Sequence, residues 1–186
     1  YADWSMRAFA RRYAGGQELR DVCFYRFCKA EPLMFEVAQD VLMPALMNGT
    51  LDRTRLRDYL DQRFPGSKSV NDCSQAIVQA WVTAGFARAD RQVVVFSYRD
   101  VPVASFAFIL HSEFGEPGMY DIAKVETNAA IRALLWNPER IVPALYDLRN
   151  MGILSKVSQI DAFRQFTTKG GLAETVRALV REEGNA

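Results

Sequence analysis

The 186 residues carry 23 Lys/Arg against 22 Asp/Glu, and 49% of them are apolar. This is enough to bury a core in one or two domains, and it excludes a disordered or low-complexity chain. A formal net charge of +1 excludes a polycation that would coat nucleic acid along its whole surface.

The charge is nonetheless uneven. Residues 1–30 carry six basic against three acidic side chains, residues 31–49 none against three, and residues 50–99 eight against five. Two mildly basic stretches are therefore available to an acidic partner. Cys23, Cys28 and Cys73 are odd in number and lack framework spacing. They read as reduced, partly buried thiols of a cytoplasmic protein, with no metal site and no cofactor. The chain opens Tyr1-Ala2-Asp3-Trp4 with no charged-then-apolar leader. No apolar run approaches the roughly 18 residues that cross a bilayer, so no membrane insertion is expected.

Taken in order, residues 4–14 predict a helix stopped by Gly15-Gly16, and residues 18–29 a second, aromatic-rich one. From Leu33 to Met47 the apolar positions follow helical spacing, with Pro44 expected to kink or shorten the helix and Asn48-Gly49 to stop it. Residues 1–49 thus read as an N-terminal helical segment. Asp52 or Thr54 caps a helix over Arg55–Arg63 that turns Leu56, Tyr59, Leu60 and Phe64 inward. Pro65-Gly66-Ser67 is a turn, and Ser69 an N-cap for a helix to Thr83 that buries Val70, Cys73, Ile77, Ala80, Trp81 and Ala84. Gly85 stops it. A polar turn over Arg88-Ala89-Asp90-Arg91 and the run Val93-Val94-Val95-Phe96 complete a hairpin. Helix, turn, longer helix, hairpin is the order of a winged helix, over residues 50–100.

The order recurs over residues 101–186. Residues 103–112 predict a helix, 115–118 a loop and 127–136 a second helix. Asn137 caps a third, with Pro138 in its first turn. Ile153 to Thr167 reads as a hairpin, and residues 172–183 as a terminal helix. The expected fold is mainly α with small β-hairpins: two tandem winged-helix-like units packed with the N-terminal segment.

The chemistry of catalysis is sparse. His111 is the only histidine and sits in a helix that reads as core. No phosphate-cradling glycine loop occurs. Asp121 and Lys124 fall on one helical turn, without the acidic-x-Lys step that metal-dependent nucleases place on a strand. The chain therefore reads as no enzyme.

Duplex DNA is the sharper expectation. In a winged helix the second long helix enters the major groove and the wing reaches the flanking backbone. Lys68, Ser69, Asn71, Gln75 and Gln79 are its outward residues, where Asn and Gln suit adenine edges and Ser and Lys suit phosphates. Arg88 and Arg91 are assigned to the wing turn, and Arg53, Arg55, Arg57 and Arg63 surround the preceding helix. Asp72 and Asp90 oppose phosphate. In the second unit Glu139 and Asp147 lie beside Arg140 and Arg149, with Lys156 and Arg164 in the hairpin. The alternative is a protein-interaction scaffold that never touches nucleic acid.

Several stretches carry a family likeness. They are Glu31-Pro32-Leu33 leading to Met43-Pro44-Ala45-Leu46, then Ser67-Lys68-Ser69 and Ala84-Gly85-Phe86. Further on come Phe106-Ala107-Phe108-Ile109-Leu110, Ala133-Leu134-Leu135 and Asn150-Met151-Gly152-Ile153-Leu154. In pattern and spacing, residues 20–167 resemble the BrxA family, accessory proteins of bacterial BREX anti-phage systems. The resemblance implies tandem winged-helix domains and a non-catalytic, DNA-binding member of a phage-defence complex, with other defence-system proteins as partners.

Overall fold

The computed structural model describes residues 3–160 and 163–181. They are mainly helical, with two small antiparallel three-stranded sheets. Helix α1 (Trp4–Arg12) starts where the Asp3 carboxylate accepts from the Met6 amide, and α2 (Gln17–Ala30) follows the Gly15-Gly16 break. Helix α3 (Pro32–Val37) runs through a π turn at Ala38–Leu42 into α4 (Met43–Ala45). Pro44 has no N–H to return to residue 40, and the Met43 amide bonds five residues back, to Ala38, so the chain widens by one residue rather than breaking.

Next come β1 (Thr50–Asp52), α5 (Arg53–Arg63), α6 (Val70–Thr83), β2 (Ala87–Ala89) and β3 (Val93–Phe96), with sheet order β1-β3-β2. Leu51 pairs with Val94 and Ala87 with Phe96 on the inner face, so the sheet packs on α5 and α6 through Leu51, Val94 and Phe96, 0–4% exposed, beside the half-buried Ala87. Trp81, fully buried, anchors α6. Each such side chain contributes roughly 1.5–3 kcal/mol by leaving water.

A similar order follows, with one more helix. Helix α7 (Val103–Glu113) leads to β4 (Gly118–Asp121), α8 (Ile122–Glu126), α9 (Ala129–Arg132), α10 (Pro138–Asn150), β5 (Leu154–Ile160) and β6 (Phe163–Thr168), with sheet order β4-β6-β5. Helix α11 (Leu172–Arg181) packs its apolar face on α1 and α7. The likeness extends to single bonds. The Asp52 carboxylate caps α5 through the Thr54 amide at 2.8 Å, and Asp121 caps α8 through the Ala123 amide at 2.8 Å. Helix α6 ends with Gly85 at φ +78° and Phe86 N donating to Trp81 O, while α10 ends with Gly152 at φ +74° and Ile153 N donating to Leu148 O, both at 2.9 Å. Both glycines hold the left-handed conformation that closes a helix C-terminus.

One buried ion pair joins the parts. Asp21 of α2, 0% exposed, accepts from Arg99 Nη2 (3.0 Å), Gln17 Nε2 (2.7 Å), Trp136 Nε1 (3.2 Å) and Ser105 Oγ (3.3 Å). Arg99 also donates to Leu134 O and lies over the Phe86 ring, 4.1 Å from its centroid. Burial pushes the Asp21 carboxyl up and the Arg99 guanidinium down, each against the pull of its partner.

Several expectations change. The helix expected over 127–136 is limited to Ala129–Arg132, because Arg99 and Trp136 form a β-bridge and Leu135 turns to φ +54° to let its carbonyl accept from Arg99 N. Asp121 ends a strand instead of sharing a helical turn with Lys124. Helix α5 begins two residues earlier, at Arg53, because Asp52 is the cap. Phe64 is 42% exposed, Tyr59 and Cys73 are half-buried and Cys23 is exposed, whereas Ser74 and Val78 are buried on α6. The terminal helix was expected to reach residue 183; residues 182 and 183, like 161 and 162 at the second hairpin tip, lie outside the described residues.

Candidate nucleic-acid interface

The Asp52 cap starts α5 with Arg53, and Arg57 lies one turn on, so both stand on one face of the helix. On α6, Asn71 and Gln75 are likewise one turn apart and exposed, with the buried Ser74 beside them. The turn between β2 and β3 supplies Arg91. Its shape is set by Asp90, whose carboxylate accepts from the Gln92 amide at 2.8 Å and the Val93 amide at 2.7 Å. Arg53 fastens this turn to α5: its amide donates to Gln92 O at 2.9 Å and its Nη1 to Asp90 O at 3.0 Å. The result is a cleft of about 260 Å³ lined by Arg53, Arg57, Asn71, Ser74, Gln75 and Arg91.

Among the described residues, no carboxylate lines this cleft. The Asp90 carboxylate accepts from two backbone amides, and the Val93 and Gln92 bonds hold its carboxyl below the usual range, so it stays charged beside the cleft without lining it. Asp52 is held low in the same way, first by the Thr54 hydroxyl and then by the Thr54 amide. Asp72 remains exposed in the first turn of α6.

Protein-family models, curated proteins and solved structures were compared with the chain, and none matches.

The residues singled out in the sequence divide into groups, with Arg63 bonded to Glu36 and Arg55 beside Asp40 and Asp58, both away from the cleft. Arg53, Arg57, Asn71, Gln75 and Arg91 converge on the cleft. Lys68 and Ser69 are exposed just ahead of α6; Ser69 occupies the cap position without a side-chain cap bond. Gln79 faces another way: it donates to Thr83 Oγ1 and lines an apolar groove between α2 and α6, beside Leu19, Cys23 and Phe27. Arg88 is not in the turn. It is the middle residue of β2, paired with Val95, and projects from the outer face of the sheet because its neighbours Ala87 and Ala89 pair with the inward Phe96 and Val94. Sequence alone missed Ser74, which reads as an ordinary polar position until α6 is docked on α5.

In the second unit Arg164 is engaged by Glu126 of α8, through Nη2 at 2.6 Å and Nη1 at 3.0 Å. His111 is 1% exposed, its Nδ1 on Ala107 O at 2.9 Å. Among the described residues, no three His, Cys, Asp or Glu side chains gather where they would share a metal ion, and no helix is long and apolar enough to cross a membrane.

Proposed function

We propose that this chain is a non-catalytic duplex-DNA-binding protein built on two winged-helix units, and that it serves as an accessory protein of a BREX-type phage-defence complex. The winged-helix reading rests on a similar order in the two halves, a helix, a strand, two helices (three in the second half, where α9 is added) and two strands, with the first strand of each half pairing to the last. On this reading the first unit, expected over residues 50–100, also takes its opening helix from α3–α4 of the N-terminal segment, and α7 opens the second. Four of the stretches resembling BrxA fall at helix boundaries: Pro32 opens α3, Ser67-Lys68-Ser69 leads into α6, and Gly85 and Gly152 close α6 and α10.

The single observation that carries DNA binding is the convergence of Arg53, Arg57 and Arg91 with Asn71 and Gln75 on one face of the first unit. That face joins phosphate-seeking guanidiniums to amide side chains suited to adenine edges, on the helix that a winged helix lays in the major groove. The sole histidine is buried and half-satisfied by its own helix, which leaves it unsuited to general acid–base work. The test is a fluorescence-anisotropy titration of a labelled duplex at several salt concentrations with the parent and with Asn71→Ala/Gln75→Ala. The reading expects salt-sensitive binding by the parent and a loss in the variant that is larger on a preferred site than on random duplex. Affinity no better than that of an unrelated neutral protein would favour the scaffold alternative.

A further inference from the structure

We propose that the cleft between α5, α6 and the β2–β3 turn is a seat for a single phosphodiester of the DNA backbone, and that the described residues of the second unit do not repeat it. The inference rests on the DNA-binding reading and deepens it: it fixes one contact point and assigns the two units different roles.

Three guanidiniums and two side-chain amides line a space of about 260 Å³, and every one of these groups has N–H donors to offer. Such a set suits a tetrahedral anion with several acceptor oxygens, because guanidinium–phosphate bonds are both charge-assisted and directional. The seat is also held in place. Arg53 is bonded to the turn through its own amide and Nη1, so α5 and the turn that carries Arg91 cannot drift apart independently. The nearby carboxylates of Asp52 and Asp90 are occupied by the backbone amides they cap, and neither enters the cleft.

The second unit is an internal control. Counted from the caps Asp52 and Asp121, Arg53 corresponds to Ile122 and Arg57 to Glu126. Counted back from the closing glycines Gly85 and Gly152, Asn71 corresponds to Pro138, Ser74 to Ile141 and Gln75 to Val142. Basic and amide groups are thus replaced by apolar ones and a carboxylate, and that carboxylate is bound by Arg164. The same architecture carries an anion seat once and its negation once.

The test uses the full chain with ¹⁵N-labelled arginine, its side-chain Nε–H resonances assigned by single substitutions. Inorganic phosphate is titrated against chloride at matched ionic strength, and then a short duplex is added. The proposal expects phosphate, and not chloride, to move the Arg53, Arg57 and Arg91 resonances saturably. The duplex should displace the phosphate, and Arg57→Ala should weaken both ligands by about tenfold, with Arg57→Lys falling between because it keeps charge but not the fork. Arg57 is exposed, and a circular-dichroism melt checks that each variant remains folded. If the duplex binds while phosphate leaves those resonances still and Arg57→Ala binds as the parent does, the seat is overturned and the DNA reading stands. If phosphate seats but a bound duplex does not displace it, the phosphodiester assignment is overturned and the DNA reading stands; if no duplex binds at all, both are overturned.

Discussion

Arg99 Nη2 meets Asp21 Oδ1 at 3.0 Å where the N-terminal helices, the first unit and the second unit come together. Asp21 is fully buried and Arg99 only 14% exposed at its side chain. Removing one partner leaves the other as an uncompensated charge in a low-dielectric junction, which typically costs about 3–5 kcal/mol. Asp21→Ala should therefore lower the denaturant midpoint severely. The double variant Asp21→Leu/Arg99→Met, which removes both charges, should recover much of the loss. Equal losses in the single and double variants would mean that the pair contributes through packing alone.

His111 Nε2 is buried without a hydrogen-bond partner, and burial holds the imidazole pKa below its usual 6.5, against the opposing pull of the Ala107 carbonyl. As pH falls through 6.5, the unfolded chain takes up a proton that the folded chain refuses. Stability is then lost toward acid, at no more than about 1.4 kcal/mol per pH unit. Because the chain has one histidine, His111→Leu should flatten the urea midpoint between pH 6.5 and 5 relative to the parent. An unchanged slope in the variant would assign this limb to other groups.

The two closing glycines make a paired prediction. An alanine Cβ at Gly152 meets nothing within 4 Å, so Gly152→Ala bears only the left-handed backbone cost, roughly 1–2 kcal/mol. At Gly85 the same Cβ lies 2.6 Å from Gln17 Oε1, and Gln17 holds both the Ala84 carbonyl and Asp21. Gly85→Ala should therefore melt at a clearly lower temperature than Gly152→Ala. The reverse order would show that Gln17 yields freely.

Arg164 lies in the second hairpin but is committed to Glu126. Arg164→Ala should cost under about 1 kcal/mol of stability, as partly exposed pairs do, and leave the salt dependence of DNA binding as in the parent. A reduced salt slope in this variant would put phosphate against the second unit.

Much of the architecture was legible because it depends on local chemistry. Asp52, Asn137, Gly85 and Gly152 mark helix ends by capping and by left-handed backbone, and both hairpins follow short β-branched or alternating runs. The errors have a common physical origin in contacts distant along the chain. Leu135 and Trp136 leave the helix because Arg99, well upstream, captures the Leu135 carbonyl. Asp21 and Arg99 look like surface charges until the fold buries them together. On the candidate face, helical spacing brought out Asn71 and Gln75 but carried Gln79 one turn too far, onto the α2 side. Arg88 was misplaced because composition does not say where a strand ends and its turn begins, and one residue of register reverses the face of a side chain.

The central claim is that one face of the first unit holds duplex DNA through Arg53, Arg57 and Arg91. It is tested most directly by the slope of log affinity against log salt for the parent and for Arg53→Ala/Arg57→Ala/Arg91→Ala, on the same duplex. Each lost phosphate contact should reduce the slope by about 0.9 on B-DNA. The account predicts a folded triple variant whose slope is shallower by about one such step, since the three arginines share one phosphate, and whose affinity at moderate salt is at least about tenfold weaker, about 1.4 kcal/mol. A folded triple variant that binds as tightly as the parent, with the same slope, would contradict it.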